Sequence, residues 1–147
     1  MSLLINADLN IQNNRGETAL MKAINNDNIN ITDLLIKAGA DLNILKKYGE
    51  TALMTAVHKE NIDITDLLIK AGADLNIQDN CEKTPLIIAA RYSLHNIVEL
   101  LIINGADLNI QDNYGRTALN YVVSCGIHEY IDREEYWYSD WECFDIL

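Results

Sequence analysis

Positive charge is scarce in this chain. Eleven Lys and Arg stand against 22 Asp and Glu, a formal net charge of −11. That excludes the basic footprint needed to bind a phosphate backbone. Cysteine is scarce too. Cys81, Cys125 and Cys143 are an odd set without a CxxC pair, so neither a disulfide framework nor a zinc ribbon is implied, and reduced thiols in a cytosol-like compartment fit the count. No apolar run reaches the ~18–20 residues of a membrane-crossing helix. The opening MSLLINADLN has no basic n-region and meets Asn6 and Asp8 at once, so it does not read as a secretory signal. There is no glycine-rich phosphate loop and no GxGxxG. Apolar material is not lacking. At 49% hydrophobic and 22% charged, 147 residues predict one ordered domain with a substantial core.

What the chain has in abundance is itself. ITDLLIKAGADLNI at 31–44 recurs letter for letter at 64–77, and ADLNI stands at 7–11, 40–44, 73–77 and 106–110. Thr18, Thr51, Thr84 and Thr117 open four short apolar runs at the same spacing of 33. An uninterrupted register of this length marks a tandem array. It divides the chain into a partial unit at 1–12, units at 13–45, 46–78 and 79–111, a degenerate capping unit at 112–133, and an acidic aromatic tail at 134–147.

Each unit reads as two short helices and a turn, so the fold class is all-α. After Thr18, a suitable N-cap, apolar side chains at Ala19, Leu20, Ala23 and Ile24 share one side of a helix. In the next stretch Ile31, Leu34, Leu35 and Ala38 form a predicted buried stripe. Gly39, Gly72 and Gly105 follow the last periodic residue, where a left-handed C′ position suits glycine. Helices of eight to ten residues are not stable alone. Stacking on neighbours must supply the missing burial.

Period 33, the Gly-Ala-Asp-Leu-Asn blocks, and the tetrads TALM (18–21, 51–54), TPLI (84–87) and TALN (117–120) resemble the ankyrin repeat family over roughly residues 1–128. The array is short, of the kind common in large DNA viruses and intracellular bacteria. The resemblance implies a solenoid of helix-turn-helix units with β-hairpin-like loops projecting from one end. It also exposes departures. The family's fourth tetrad residue is His, here Met21, Met54, Ile87 or Asn120, which implies that a polar tie within each repeat is lost. Glu82 replaces the turn glycine of positions 16, 49 and 115, predicting local strain on the order of 1 kcal/mol if φ is positive there. The family's glycine between the helices is here Asp27, Glu60 and Ser93, with Gly126 alone retained.

The ends are irregular. By register the chain begins inside a second helix, with Met1 to Ile5 supplying about one turn. The leucine pairs Leu34/Leu35, Leu67/Leu68 and Leu100/Leu101 give way to Arg133/Glu134, a polar face suited to a terminal cap.

Chemistry is hard to find. His58, His95 and His128 sit in different repeats, none beside a recognised nucleophile. Cys125, His128 and Cys143 form a C-x-x-H and a distant Cys, looser than structural zinc sites use. Most carboxylates recur at repeated positions such as Asp41, Asp74 and Asp107, as structural or solvated residues do. No enzyme activity, cofactor, metal or small-molecule substrate is expected, and neither is a nucleic acid or membrane partner.

The resemblance implies recognition of a protein partner across a concave face built from hairpin tips and first helices. Carried over by register, the first repeat offers Asn14, Arg15, Glu17, Asn25 and Asn26, and the second Lys47, Tyr48, Glu50, His58 and Lys59. The third offers Asn80, Cys81, Lys83, Arg91 and Tyr92, and the fourth Asn113, Tyr114, Arg116, Ser124 and Cys125. These twenty hold six basic and two acidic side chains, a net +4 that leaves −15 for everything else. The expected contact set is Arg15, Lys47, Tyr48, His58, Lys59, Lys83, Arg91, Tyr92, Tyr114 and Arg116, since Tyr and Arg are enriched at binding hot spots. An acidic partner segment follows from complementarity. The plain alternative is solvated charge that keeps the array soluble.

Three further readings accompany this one. The tail, with seven acids against Arg133 over 129–147, has the sign to dock in the groove, to pack on the last repeat, or to fray. Asn43, Asn76 and Asn109 each follow a Leu by eight residues, a pattern hydroxylated in some ankyrin proteins, although turn hydrogen bonding explains these Asn more simply. An adaptor that recruits host proteins to another machine is the third, and it would need a short linear motif. The expected location is cytoplasmic or intracellular in a host.

Overall fold

Threonine starts the first helix of each of three successive repeats. The Oγ1 atoms of Thr18, Thr51 and Thr84 accept the N–H of Met21, Met54 and Ile87 at 3.4, 3.2 and 3.3 Å, satisfying a donor the first helical turn leaves unpaired. The computed structural model describes residues 7–127. Within them lie α1 (Ala19–Asn25), α2 (Ile29–Lys37), α3 (Ala52–His58), α4 (Ile62–Lys70), α5 (Pro85–Arg91), α6 (His95–Ile103) and α7 (Ala118–Ile127), with a 3₁₀ turn at Lys47–Gly49 and no strand among the described residues. The N-terminal turn of Met1–Ile5, the polar pair Arg133/Glu134, His128, Cys143 and the tail at 134–147 lie outside the described residues.

Two layers result. Helices α1, α3, α5 and α7 stack in succession, and α2, α4 and α6 stack beside them, each against the first helix of its own repeat. The core runs along the seam, with Leu20, Leu53 and Leu86 in one file and Met21, Met54 and Ile87 in another, all essentially sealed from solvent. The lost polar tie is therefore real in three repeats, where the fourth tetrad position is now core. The fourth repeat keeps one: Asn120 Oδ1 accepts both the N–H (2.8 Å) and the hydroxyl (3.0 Å) of Thr117.

The predicted stripe of α2 needs correction. Leu35 is buried, but Thr32 rather than Ile31 accompanies it, and Ala38 is exposed. Ile64 and Ile97, the equivalents of Ile31, are buried. Helices α4 and α6 have a preceding second-layer helix to pack on, whereas α2 has none among the described residues. Thr32 and Thr65 reconcile burial with polarity by donating to the Asn28 and Asn61 carbonyls at 2.8 and 2.7 Å.

Helix exits follow one design. Gly39 adopts φ +90°, its N–H donates to the Ile36 carbonyl, and Ala40 N–H reaches back to Leu35, a Schellman closure. Between helices the chain needs a left-handed residue, and Asp27, Glu60 and Ser93 supply it at φ 51°, 55° and 57°. Gly126 makes no such break, since α7 runs through it to Ile127.

Candidate functional site

The ADLN block builds the frame on which the tips stand. Asp8, Asp41, Asp74 and Asp107 each accept, through Oδ1, the N–H of the Asn two residues on, at 2.8–2.9 Å. Asn10, Asn43 and Asn76 then accept the N–H of the next repeat's Asp at 2.8, 2.9 and 2.9 Å. Asn43 and Asn76, two of the hydroxylation candidates, thus link repeats.

Each tip is a closed turn, and in three repeats an Asx side chain holds it. Oδ1 of Asn13, Asp79 and Asp112 accepts the N–H groups two and four residues on. Lys46 fills this position in the second repeat and has no acceptor. There Tyr48 turns to φ +71°, and Lys46 Nζ pairs with Glu50 Oε2 at 2.7 Å instead. Leu45 likewise replaces the Gln whose side chain, at Gln12 and Gln78, bonds to the following repeat's carbonyl at 2.9 and 3.0 Å. Adjacent tips join backbone to backbone: Lys47 N–H to Arg15 O, Asn80 to Tyr48 O, and Asn113 to Cys81 O, at 3.0, 3.0 and 3.2 Å.

The structure brings together most of the expected contact residues. Lys47 Nζ lies 4.9 Å from the Tyr48 ring centre. The His58 and Tyr92 rings meet edge to face at 5.9 Å across the second and third repeats, and the Arg91 guanidinium lies 5.8 Å from the Tyr92 ring. Arg116 sits between Tyr114 and Tyr121, 4.6 and 4.8 Å from their centres. Arg15, Tyr92 and Tyr114 are exposed. These contacts are of the cation–π and T-shaped kinds.

Two residues depart from the expectation. Lys83 is only 7% exposed, because the fifth tip residue folds back beside its own first helix; Glu17, Glu50 and Arg116 occupy the same row and are part-buried. Lys59 caps α3 at the position Tyr92 holds in α5, and there it pairs with Asp27 of the preceding turn at 3.2 Å. A side-chain hydrogen bond from Asn61, and then Lys59, hold the Asp27 carboxyl below its ordinary range.

Three residues outside the expected contact set belong to the site. Glu50 is one: burial would raise its pKa, but hydrogen bonds from His58 (3.3 Å) and Lys46 bring it down to about 2. Asp112 and Tyr121 are the others. The Asp112 carboxylate is sealed from solvent, accepts the Tyr121 hydroxyl, and lies 3.6 Å from Arg116 Nε. Burial first, and the Asp112 bond second, push the Tyr121 phenol well above its ordinary value. Asp112 shares its position with Asn13 and Asp79, but Tyr121 replaces Ile88 on the core face, so repetition gave no signal for the pair.

Among the described residues, no group of three His, Cys, Asp or Glu side chains could hold a metal ion, and no helix is long and apolar enough to cross a membrane. No curated protein matches the chain. Family models do. A model of ankyrin repeats in three copies matches residues 1–79, and one of ankyrin repeats in many copies matches 68–122. Such arrays are generally non-enzymatic modules of protein–protein interaction. With the 33-residue register, the paired helices and the bonded tips behind those matches, the chain belongs to the ankyrin repeat family.

Proposed function

We propose that this array recognises a protein partner through the concave surface formed by its tips and first helices, and that the partner segment it takes is acidic. One observation carries the reading. Tyr92, 48% exposed, meets the His58 edge and is flanked by Arg91, while Tyr114 and Arg116 form a second aromatic–cation pair at the tip of the fourth repeat. Rigid aromatic anchors beside guanidinium groups bind with little loss of side-chain freedom, and Arg meets carboxylates in bidentate fashion. In a chain of net charge −11, Arg15 and Lys47, exposed at adjacent tips, also favour steering of an anionic segment.

Selection of a random peptide library on the full chain tests this. Enrichment of sequences with Asp or Glu beside an apolar residue is the expected result. The triple variant Lys47→Glu/Tyr92→Ser/Tyr114→Ser should lose those peptides while keeping its melting temperature. Lys83 is kept native, since charge reversal at a buried position would unfold the tip. Selected peptides without acidic bias, or binding indifferent to the three substitutions, would remove the proposal.

A further inference from the structure

The register makes one surface stand out at the C-terminal end of the described array. Leu119, Val122 and Val123 of α7 are 66%, 46% and 54% exposed. Their equivalents in the first three repeats, including Leu86, Ala89 and Ala90, are all buried. Beside them Val98, Ile102, Ile103 and Val122 line a groove of about 310 Å³, with His95 and Glu99 at its rim. In earlier repeats the cover comes from the helix that immediately follows in sequence and from the next repeat. Here the register puts Arg133/Glu134 where that helix has its leucine pair, so a second helix at that place would lack those two apolar contacts.

We propose that the segment 134–147 of the same chain occupies this face, with Trp137 and Trp141 set against Val98, Ile102, Ile103 and Val122. At least twenty residues follow α7 in the sequence, and five of the chain's ten aromatic side chains fall in 136–144. Aromatic residues are the side chains that cover most apolar area each. The connection from Ile127 to residue 134 spans about 20 Å extended, enough to return across packed helices about 10 Å apart. The segment serves as a terminal cap that is not itself a repeat, which closes the core where a solenoid otherwise leaves it open. This inference does not depend on the concave-face reading.

The chain's only two tryptophans, Trp137 and Trp141, lie in the segment, so intrinsic fluorescence of the full chain reports on it directly. The expected result is blue-shifted emission, protected from acrylamide, and identical over a hundredfold range of protein concentration. Ile103→Glu and Val122→Glu, both at exposed positions, should each raise the quenching constant several-fold while the helical circular dichroism persists. Solvent-exposed tryptophans in the wild-type chain would overturn the proposal. So would protection that grows with concentration, which assigns the face to a second copy. Protection untouched by either variant but lost on Tyr92→Ser would place the segment on the concave surface and equally defeat it.

Discussion

Asn43 Oδ1 accepts the backbone N–H of Asp74, 31 residues further on, at 2.9 Å. Asn10 and Asp41, and Asn76 and Asp107, repeat the relationship. One side chain thereby closes the amide of a neighbouring unit, which explains why the Asn of ADLN recurs without change. Replacing Asn43 with Ala should cost about 1 kcal/mol, the net worth of one such bond. Urea denaturation checks it, and an unchanged midpoint would show the ladder to be energetically idle.

Glu82 holds φ +60° at a position where the first, second and fourth repeats have glycine. A side chain in the left-handed region costs about 1–2 kcal/mol, part of which glycine returns as unfolded-state entropy. Glu82→Gly should therefore raise stability by roughly 0.5–1 kcal/mol. A lower melting temperature would mean that the strain is compensated by contacts of the glutamate.

The fold was legible because repetition multiplies weak signals: threonine caps, closing glycines and buried leucines each appear at three or four matching positions. The strain at Glu82 was legible for the same reason, as one departure from a pattern. What repetition hid were features occurring once. Lys46 in place of an Asx acceptor turns Tyr48 to positive φ and creates the Lys46–Glu50–His58 group, yet in sequence it reads as one more surface lysine. Lys83 is buried while Glu17, Glu50 and Arg116 in the same row are part-buried, under one backbone closure common to all four tips, so the spacing of 33 gives no sign of the difference. The Asp112–Tyr121 pair depends on α7 meeting its own tip, which no spacing of 33 reveals.

Glu50 links the array to acid stability. Its pKa falls from the ordinary 4.5 to about 2, with hydrogen bonds from His58 and Lys46 overcoming the opposing effect of burial. The unfolded chain binds this proton more readily, so Glu50 contributes stability above its ordinary pKa and loses it as pH falls toward about 2. The contribution is on the order of 2–3 kcal/mol. Glu50→Gln should be less stable at neutral pH and show a flatter loss between pH ~5 and ~2. Parallel acid limbs in the two proteins would contradict it.

Gly16 and Gly115 have nearly the same φ, +74° and +73°, but different surroundings. A Cβ at Gly16 would stand 2.9 Å from Lys46 Cα and 3.0 Å from Lys47 N, whereas no described atom lies within 4 Å of one at Gly115. Ala at either position carries the same backbone strain, about 1–2 kcal/mol. Gly16→Ala must also push the second tip away and stretch the Lys47–Arg15 bond. It should be the more destabilising of the two, and equal losses would show that the tips yield freely.

Tyr121 donates its hydroxyl to a carboxylate sealed from solvent. Asp112 Oδ1 is satisfied by the N–H groups of Tyr114 and Arg116, each at 2.9 Å, and Oδ2 accepts the Tyr121 hydroxyl. Arg116 Nε lies 3.6 Å from Oδ2 and is itself buried without a hydrogen-bond partner. Tyr121→Phe keeps the ring and removes only the donor, and an unsatisfied buried acceptor costs about 1–3 kcal/mol. Because Arg116 can advance toward Oδ2, the loss should fall in the lower half of that range. A double-mutant cycle with Asp112→Asn separates the terms: the Asn substitution should cost less in the Phe background than in the wild type. Full additivity would mean that Tyr121 and Asp112 do not act as a pair. Burial, with the same contact second, keeps the Tyr121 proton on through pH values that ionise an ordinary phenol, so in alkaline absorbance titration the Tyr121 step should come at lower pH in Asp112→Asn than in the wild type.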